Sequence, residues 1–375
     1  MKEKWSREQA WAWYNARPWL RGCNYMSADC ANRIDQWQSH GWEERFKTTE
    51  EELALAQKTG FNIVRLILEY VVWKEEHDGF MERFERYISL CHKYGQSCMI
   101  VLANDCMPPK TELWKMPAVG EQHYDWGYHG GRKHSQHGLH SEPAPHFYLD
   151  DPVSRADYLR MVTEIVTKYK DDERICIWDV YNEPGNSRRG ALTLPNLKLM
   201  FETVRACEPS QPVACDPLHL PTADCPPDEI AEFALNNSDI ILYHCYRDLK
   251  GQVRVIKYLK TYERPIICTE WLGRMRGSDV FSLFPLFYLE NIGCICWGFV
   301  AGKYQTYEPW ESMWEEYYSG KKEYDFTQWF HDLYRPSHRP YDPKEIELIQ
   351  RFCKYADDDF ERAKNGQFGL KEQKD

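Results

Sequence analysis

The 375-residue chain has no run approaching the roughly 18 apolar residues that carry a helix across a bilayer. No membrane partner is therefore expected. Its 14 cysteines include no Cys-x-x-Cys spacing, the pattern behind most cysteine zinc sites. No glycine-rich phosphate loop follows the first apolar run: Gly22-Cys23-Asn24 stands there instead, which argues against a dinucleotide cradle. Positive charge is in deficit, with 47 Lys and Arg against 58 Asp and Glu for a net of −11. That balance excludes a chain built to wrap phosphate backbones, so no nucleic-acid partner is expected. Met1 is followed by Lys2-Glu3-Lys4-Trp5 rather than an apolar signal segment. The expectation is a cytoplasmic protein whose cysteines, many inside apolar runs, serve as reduced, buried small hydrophobes.

Apolar residues make up 43% of the chain and charged residues 28%, which rules out disorder. Aromatic residues reach 15%. Their flat faces either fill a large core or stack on sugar rings. Eight short apolar runs stand out, at 19–25, 61–68, 97–103, 175–181, 212–215, 239–246, 265–270 and 293–299. Nearly continuous runs of this kind suit parallel strands covered on both faces. Helix signals alternate with them. Thr49 with Glu52 reads as a capping box and Gly60 as its closing residue. Phe80, Phe84, Tyr87, Ile88 and Cys91 make one apolar stripe. Asp151-Pro152 reads as an N-cap with proline in the first turn. Eight strands alternating with helices predict an α/β protein, a single (β/α)8 TIM barrel spanning 1–375. An open doubly wound sheet is the competing architecture.

One stretch breaks the rhythm. Residues 105–150, after the third strand, hold six of the 13 histidines (His123, His129, His134, His137, His140, His146) with Trp114, Trp126, Tyr124 and Tyr128. A loop after a barrel strand lies on the active-site face, and long loops are usually functional. The expectation is an insertion that covers substrate. Its irregular histidine spacing, and the lack of a His/Asp set at the other strand ends, favour no metal and no cofactor. The aromatic stretches at 5–19 and 310–329 read equally as core caps, pocket walls or subunit contacts, which leaves a homo-oligomer open.

Chemistry on a barrel comes from the C-terminal ends of its strands. The fourth run ends Asp179-Val180-Tyr181-Asn182-Glu183-Pro184 and the seventh ends Thr269-Glu270-Trp271. Two carboxyls converging on one pocket suit glycosidic cleavage, one protonating the leaving oxygen and the other attacking carbon or activating water.

These motifs resemble glycoside hydrolase clan A, and are similar to the family 5 cellulase-type enzymes, from Arg21-Gly22-Cys23-Asn24 to Trp297. The resemblance implies Glu183 as acid/base, with Asn182 contacting the sugar 2-hydroxyl, and Glu270 as nucleophile. It further implies Arg65 orienting the nucleophile, Tyr246 of His244-Cys245-Tyr246 touching it, His244 near the acid/base, and Trp297 flooring the pocket. With Arg65 so placed, ionised Glu270 is expected to titrate low, and buried Glu183 near that charge to titrate high. Family 5 places a histidine at the end of strand three. Here the chain reads Ala103-Asn104-Asp105, so Asn104 or a histidine of the insertion takes that place. After strand eight, Lys303 and Gln305 are candidates to read sugar hydroxyls at the rim.

The implied activity is retaining hydrolysis of a β-linked oligosaccharide or glycoside by double displacement, with exo action in a pocket closed by 105–150. The alternatives are an endo-acting β-glycanase (xylanase-, cellulase- or mannanase-like), a transglycosylase, a non-catalytic carbohydrate-binding barrel and a metal-dependent hydrolase.

Overall fold

The computed structural model of the chain describes residues 2–107, 116–122 and 140–366. All eight expected strands form: β1 (Arg21–Asn24), β2 (Ile63–Ile67), β3 (Ser97–Val101), β4 (Ile175–Asn182), β5 (Val213–Asp216), β6 (Ile241–His244), β7 (Ile266–Glu270) and β8 (Gly293–Cys296). They pair in parallel in the order β5-β4-β3-β2-β1-β8-β7-β6. Side chains bridge the remaining seam between β5 and β6. Val213 N donates to Asp239 Oδ2 at 2.8 Å, Asp239 N returns a bond to Val213 O at 2.9 Å, and Cys215 N donates to Ser238 Oγ at 3.0 Å. The result is a nearly closed (β/α)8 barrel.

The two-residue period of a strand divides the lumen into layers. The lower layer is apolar, with Ile63, Met99, Ile177, Ala214, Leu242, Ile267 and Ile295 in one buried cluster. Two residues further along, the inward positions turn polar: Asn24, Arg65, Asp179, Asp216, His244 and Thr269 are all buried. At Gly22 a Cβ would lie 1.7 Å from Ile63 O, so only glycine lets β1 approach β2 this closely.

The helix Arg7–Asn15 plugs the lower end. Its start is a true capping box: Ser6 Oγ accepts from Gln9 N, and Gln9 Oε1 accepts from Ser6 N. Ala10 and Tyr14 enter the lumen cluster, and Trp5, Trp11 and Trp13 pack around them. The aromatic stretch at 5–19 is thus a core cap.

The Thr49/Glu52 capping box does not form. That helix runs Trp42–Thr59 from Gly41, which adopts φ 68°. Thr49 lies mid-helix and donates to Arg45 O, while buried Glu52 accepts from Tyr25 Oη at 2.8 Å and Ala28 N at 3.1 Å. The Glu52 carboxyl is taken by the loop after β1, a tertiary partner that a local spacing rule does not see. Gly60 closes the helix at φ 97°, and Asp151 caps Pro152–Tyr169 through Ser154 N, both as expected.

Part of the 105–150 insertion, with His123, His129, His134, His137, Trp114, Trp126, Tyr124 and Tyr128, lies outside the described residues. Its segment 116–122 is tied to the loops above β1. Gly120 N donates to Gln38 Oε1 and Gln38 Nε2 to Gly120 O, each at 2.7 Å. All 14 cysteines are free and all but Cys106 and Cys225 are buried, as read from their apolar settings. Among the described residues no helix is long and apolar enough to cross a membrane.

The plug gives a direct test of barrel-floor packing. Tyr14→Ala is expected to cost about 3–5 kcal/mol of unfolding free energy in a urea titration, by cavity creation at a buried aromatic. Loss of less than about 1 kcal/mol would show that the helix merely rests on the floor.

Candidate active site

Irregular register aims the upper strand ends inward. The β4–β5 ladder shifts between Asp179 and Asn182, and the β6–β7 ladder between Tyr243 and His244. Bulges of this kind recur beside active sites because they re-aim side chains. Glu183 follows with φ 45°, in the left-handed region. The turn beyond it is clamped by Asp105, which accepts from Tyr181 Oη at 2.8 Å and Gly185 N at 2.7 Å and pairs with Arg189 Nε at 3.0 Å.

Arg65 stands at the centre of the polar layer with its side chain fully buried. Nη2 donates to Asp179 Oδ2 (2.8 Å), Asp216 Oδ2 (2.8 Å) and Asn182 Oδ1 (2.6 Å). Nη1 donates to Asn24 Oδ1 (2.8 Å) and Glu270 Oε1 (3.2 Å). Glu270 Oε2 accepts from Tyr246 Oη at 2.7 Å. His244 lies between the glutamates: Nδ1 is 2.7 Å from Glu183 Oε1 and 3.3 Å from Glu270 Oε2, and Nε2 is 2.9 Å from Asp216 Oδ2. Glu183 Oε2 also accepts from Asn186 Nδ2 and from the Cys106 thiol, at 2.5 and 3.1 Å.

A carboxylate oxygen of Glu183 and one of Glu270 lie within 4.8 Å of each other, with His244 between them and nearer to Glu183. Inverting pairs stand about 6.5–9.5 Å apart, retaining pairs about 5–5.5 Å. The same three residues offer one ligand atom each to a cation, but both ring nitrogens of His244 are already engaged by carboxylates.

Titration of the pair differs from the expectation. Burial pushes Glu183 up, yet the hydrogen bond and charge of His244, with Cys106 and Asn186, outweigh it and hold the carboxyl below its usual range. Burial pushes Glu270 up to about 7, with the Glu183 charge adding to the rise and His244 and Arg65 opposing it. Burial disfavours the charged His244, but Glu270 and Asp216 overcome this and hold it as imidazolium. The expectation failed on two counts. The charge of Arg65 is divided among several partners, and an imidazolium sits on Glu183. Burial and the Asp216 charge push Asp179 up, whereas Arg65 and His244 outweigh burial at Asp216 and hold it low.

The cleft above holds about 550 Å³, within the range of small-molecule sites. It brings together Asn104, Asn182, Glu183, His244, Tyr246, Glu270 and Trp297. Asn104 Oδ1 accepts from Asn182 Nδ2 at 2.7 Å, so it steadies Asn182 from the place where family 5 has a histidine. Arg65 lies directly beneath. Two expected residues lie elsewhere. Lys303 lines a separate hollow with Asp29 and Trp329, and Gln305 is buried at 1% exposure. The turn at 302–306 folds down onto Ala28, where Gly302 packs without room for a Cβ, and presents Tyr304 to the cleft instead. Sequence reasoning passed over Asp179, Asp216, Asp105 and Cys106. A carboxylate inside an apolar strand, as in Ile177-Trp178-Asp179-Val180, is the signal that finds the first.

Two glutamates ending strands four and seven of a (β/α)8 barrel define the clan A glycoside hydrolases. Residues 26–280 match the profile of the cellulase family, glycosyl hydrolase family 5. The match covers more than half of the chain, and the chain belongs to that family. Similar solved structures include an exo-β-1,4-mannosidase from Opitutaceae bacterium strain TAV5, at 15% identity and TM-score 0.56 over 92% of this chain and 60% of that one. A GH5-4 broad-specificity endoglucanase from an uncultured bacterium aligns at 12% identity and TM-score 0.53 over 94% and 96%. At these identities the likeness is one of fold. A β-glucuronidase from Chlorocebus aethiops is 29% identical over 156 residues, 39% of this chain and 22% of that protein. The chain thus spans about a fifth of the length of that relative.

Removing Arg65 strands buried carboxylates. Arg65→Met is expected to destabilise the fold by about 3–5 kcal/mol in chemical denaturation. A variant as stable as wild type would show that neighbouring groups neutralise one another without it.

Proposed function

We propose that this protein is a retaining β-glycosidase in which Glu270 is the nucleophile and Glu183 the acid/base. The observation that carries this is the approach of the two carboxylates to within 4.8 Å around His244. Glu270 attacks the anomeric carbon as the bond to the leaving oxygen breaks. That oxygen takes its proton from Glu183. His244 Nδ1 holds a proton 2.7 Å from Glu183 Oε1, so the imidazolium–carboxylate pair and the imidazole–carboxylic acid pair differ only by a shift along one hydrogen bond. Once Glu270 is esterified, Glu183 is again a carboxylate and removes a proton from the water that releases the sugar. Asn182, held by Arg65 and Asn104, is placed to meet the sugar 2-hydroxyl, and Trp297 offers it a flat face.

The substrate class is a β-linked oligosaccharide or glycoside. Exo action is supported by Cys106, Met107 and His140, described residues from the two ends of the insertion, which all line the cleft. The similar proteins include an exo-mannosidase, an endoglucanase and a glucuronidase, so the sugar is open to a screen of aryl β-glycosides.

Glu270→Gly is expected to abolish turnover and, with azide, to yield the α-glycosyl azide. Glu183→Ala is expected to lose about 10²–10⁴-fold on poor leaving groups, far less on a dinitrophenyl glycoside, and to yield the β-glycosyl azide. Full activity in both Glu183→Gln and Glu270→Gln would sink the assignment. Exhaustive chelation is expected to leave turnover intact.

The pH profile follows from Glu270, which attacks only when ionised. With its carboxyl at about 7, kcat/KM is expected to fall as pH drops below about 7, since that ratio reports the free enzyme. Tyr246→Phe removes a hydrogen bond that favours the ionised form, so the acidic limb is expected to move upward. A limb that stays put or moves down would place its origin elsewhere.

A further inference from the structure

We propose that the cleft is built for an anionic saccharide, one bearing a carboxylate or a sulfate or phosphate ester, with Arg247 and Arg276 as the residues that read the negative group. This rests on the glycosidase reading of Glu183 and Glu270.

The chain carries a net −11, yet Arg33, Arg188, Arg247 and Arg276 all line the cleft, where the only carboxylates among the described residues are Glu183 and Glu270. Low-dielectric walls of one sign focus a field on their opening, which draws ligands of the other sign. A cationic lip on an acidic protein is therefore selective.

Position and partners narrow the choice. Arg247 directly follows Tyr246, and Arg276 ends the short turn Arg274–Arg276 after β7. Their loops touch, since a Cβ on Gly277 would lie 3.1 Å from Asp248 Cβ. The guanidinium of Arg276 sits 5.5 Å from the Trp310 ring centroid. Trp310 stands edge-on to Tyr246 at 4.9 Å, and Tyr246 holds Glu270. The cation is thus one aromatic stack away from the proposed nucleophile.

The buried arginines of this chain are paired with carboxylates, whereas exposed Arg335, Arg339 and Arg351 form no ion pair among the described residues. Arg65, Arg189, Arg205 and Arg274 are buried in ion pairs with carboxylates. Arg247 and Arg276 are exposed and form no ion pair among the described residues. Arginine matches a carboxylate, sulfate or phosphate by a two-pronged hydrogen bond that no neutral hydroxyl reproduces. What sets Arg247 and Arg276 apart from other exposed arginines is that both line the cleft of the glutamate pair, with Glu316 near Arg276 but not bonded to it; a charged sugar would use both guanidiniums.

The test compares matched aryl β-glycosides: glucuronide against glucoside, galacturonide against galactoside, mannuronide against mannoside, and the 6-sulfate and 6-phosphate of each neutral sugar. The best substrate is expected to be an anionic one, at least about tenfold above its neutral counterpart in kcat/KM at low salt, the worth of one charge-assisted hydrogen bond. The advantage is expected to shrink as salt is raised. Which anion wins distinguishes a uronate from an ester. In Arg247→Gln/Arg276→Gln the anionic-to-neutral ratio is expected to fall at least about tenfold. A neutral best substrate, or a ratio unchanged in the double variant, overturns the proposal. Calorimetric titration of Glu270→Gln with the same pairs reads the preference without turnover. Anion preference in a protein that hydrolyses nothing overturns the glycosidase reading alone. Turnover with neutral preference overturns the anion reading alone.

Discussion

A single buried guanidinium organises the upper half of this barrel. Arg65 reaches across the lumen from β2 to side chains of β1, β4, β5 and β7. Isolated in a low-dielectric interior, such a charge would be prohibitively costly. Here it is tolerable because the Asp216 carboxylate offsets it and because five side chains accept its hydrogens. The same bonds fix Asn182 and Glu270 in place. Folding energetics and site geometry are thus two consequences of one cluster, and neither can be tuned without the other.

His244 adds the second cation, and its placement decides where protons rest. It touches Glu183, Glu270 and Asp216 at once. The imidazolium favours a charged Glu183, whereas the proposed cleavage needs that group protonated. The short bond between them makes the two states interconvertible without exchange with solvent.

Much of this was legible in the sequence. The eight strands were plain because both faces of a barrel strand are covered, leaving apolar runs at regular intervals. Glu183 and Glu270 were legible because each closes such a run, and Arg65 because Val64-Arg65-Leu66 matches the strand-two arginine that the family resemblance implies. What escaped was decided by contacts distant in the chain. Glu52 looked like a helix cap, but its partners Tyr25 and Ala28 lie more than 20 residues away. Lys303 and Gln305 sat at the right distance from β8, but the turn bends them away from the cleft. The protonation order inverted because an imidazolium sits on Glu183, which spacing alone does not reveal.

The seam between β5 and β6 gives the site a mechanical meaning. In terms of backbone ladders, the barrel is a sheet rolled until its two free edges meet, and those edges carry Asp216 and His244. The 2.9 Å bond between these residues therefore spans the join itself, a stitch near the mouth that complements the Asp239 and Ser238 bridges lower down. Any motion that parts the two edges dismantles the proton network at the same instant. The carboxylates of the proposed chemistry are thus aligned by the same bond that closes the cylinder.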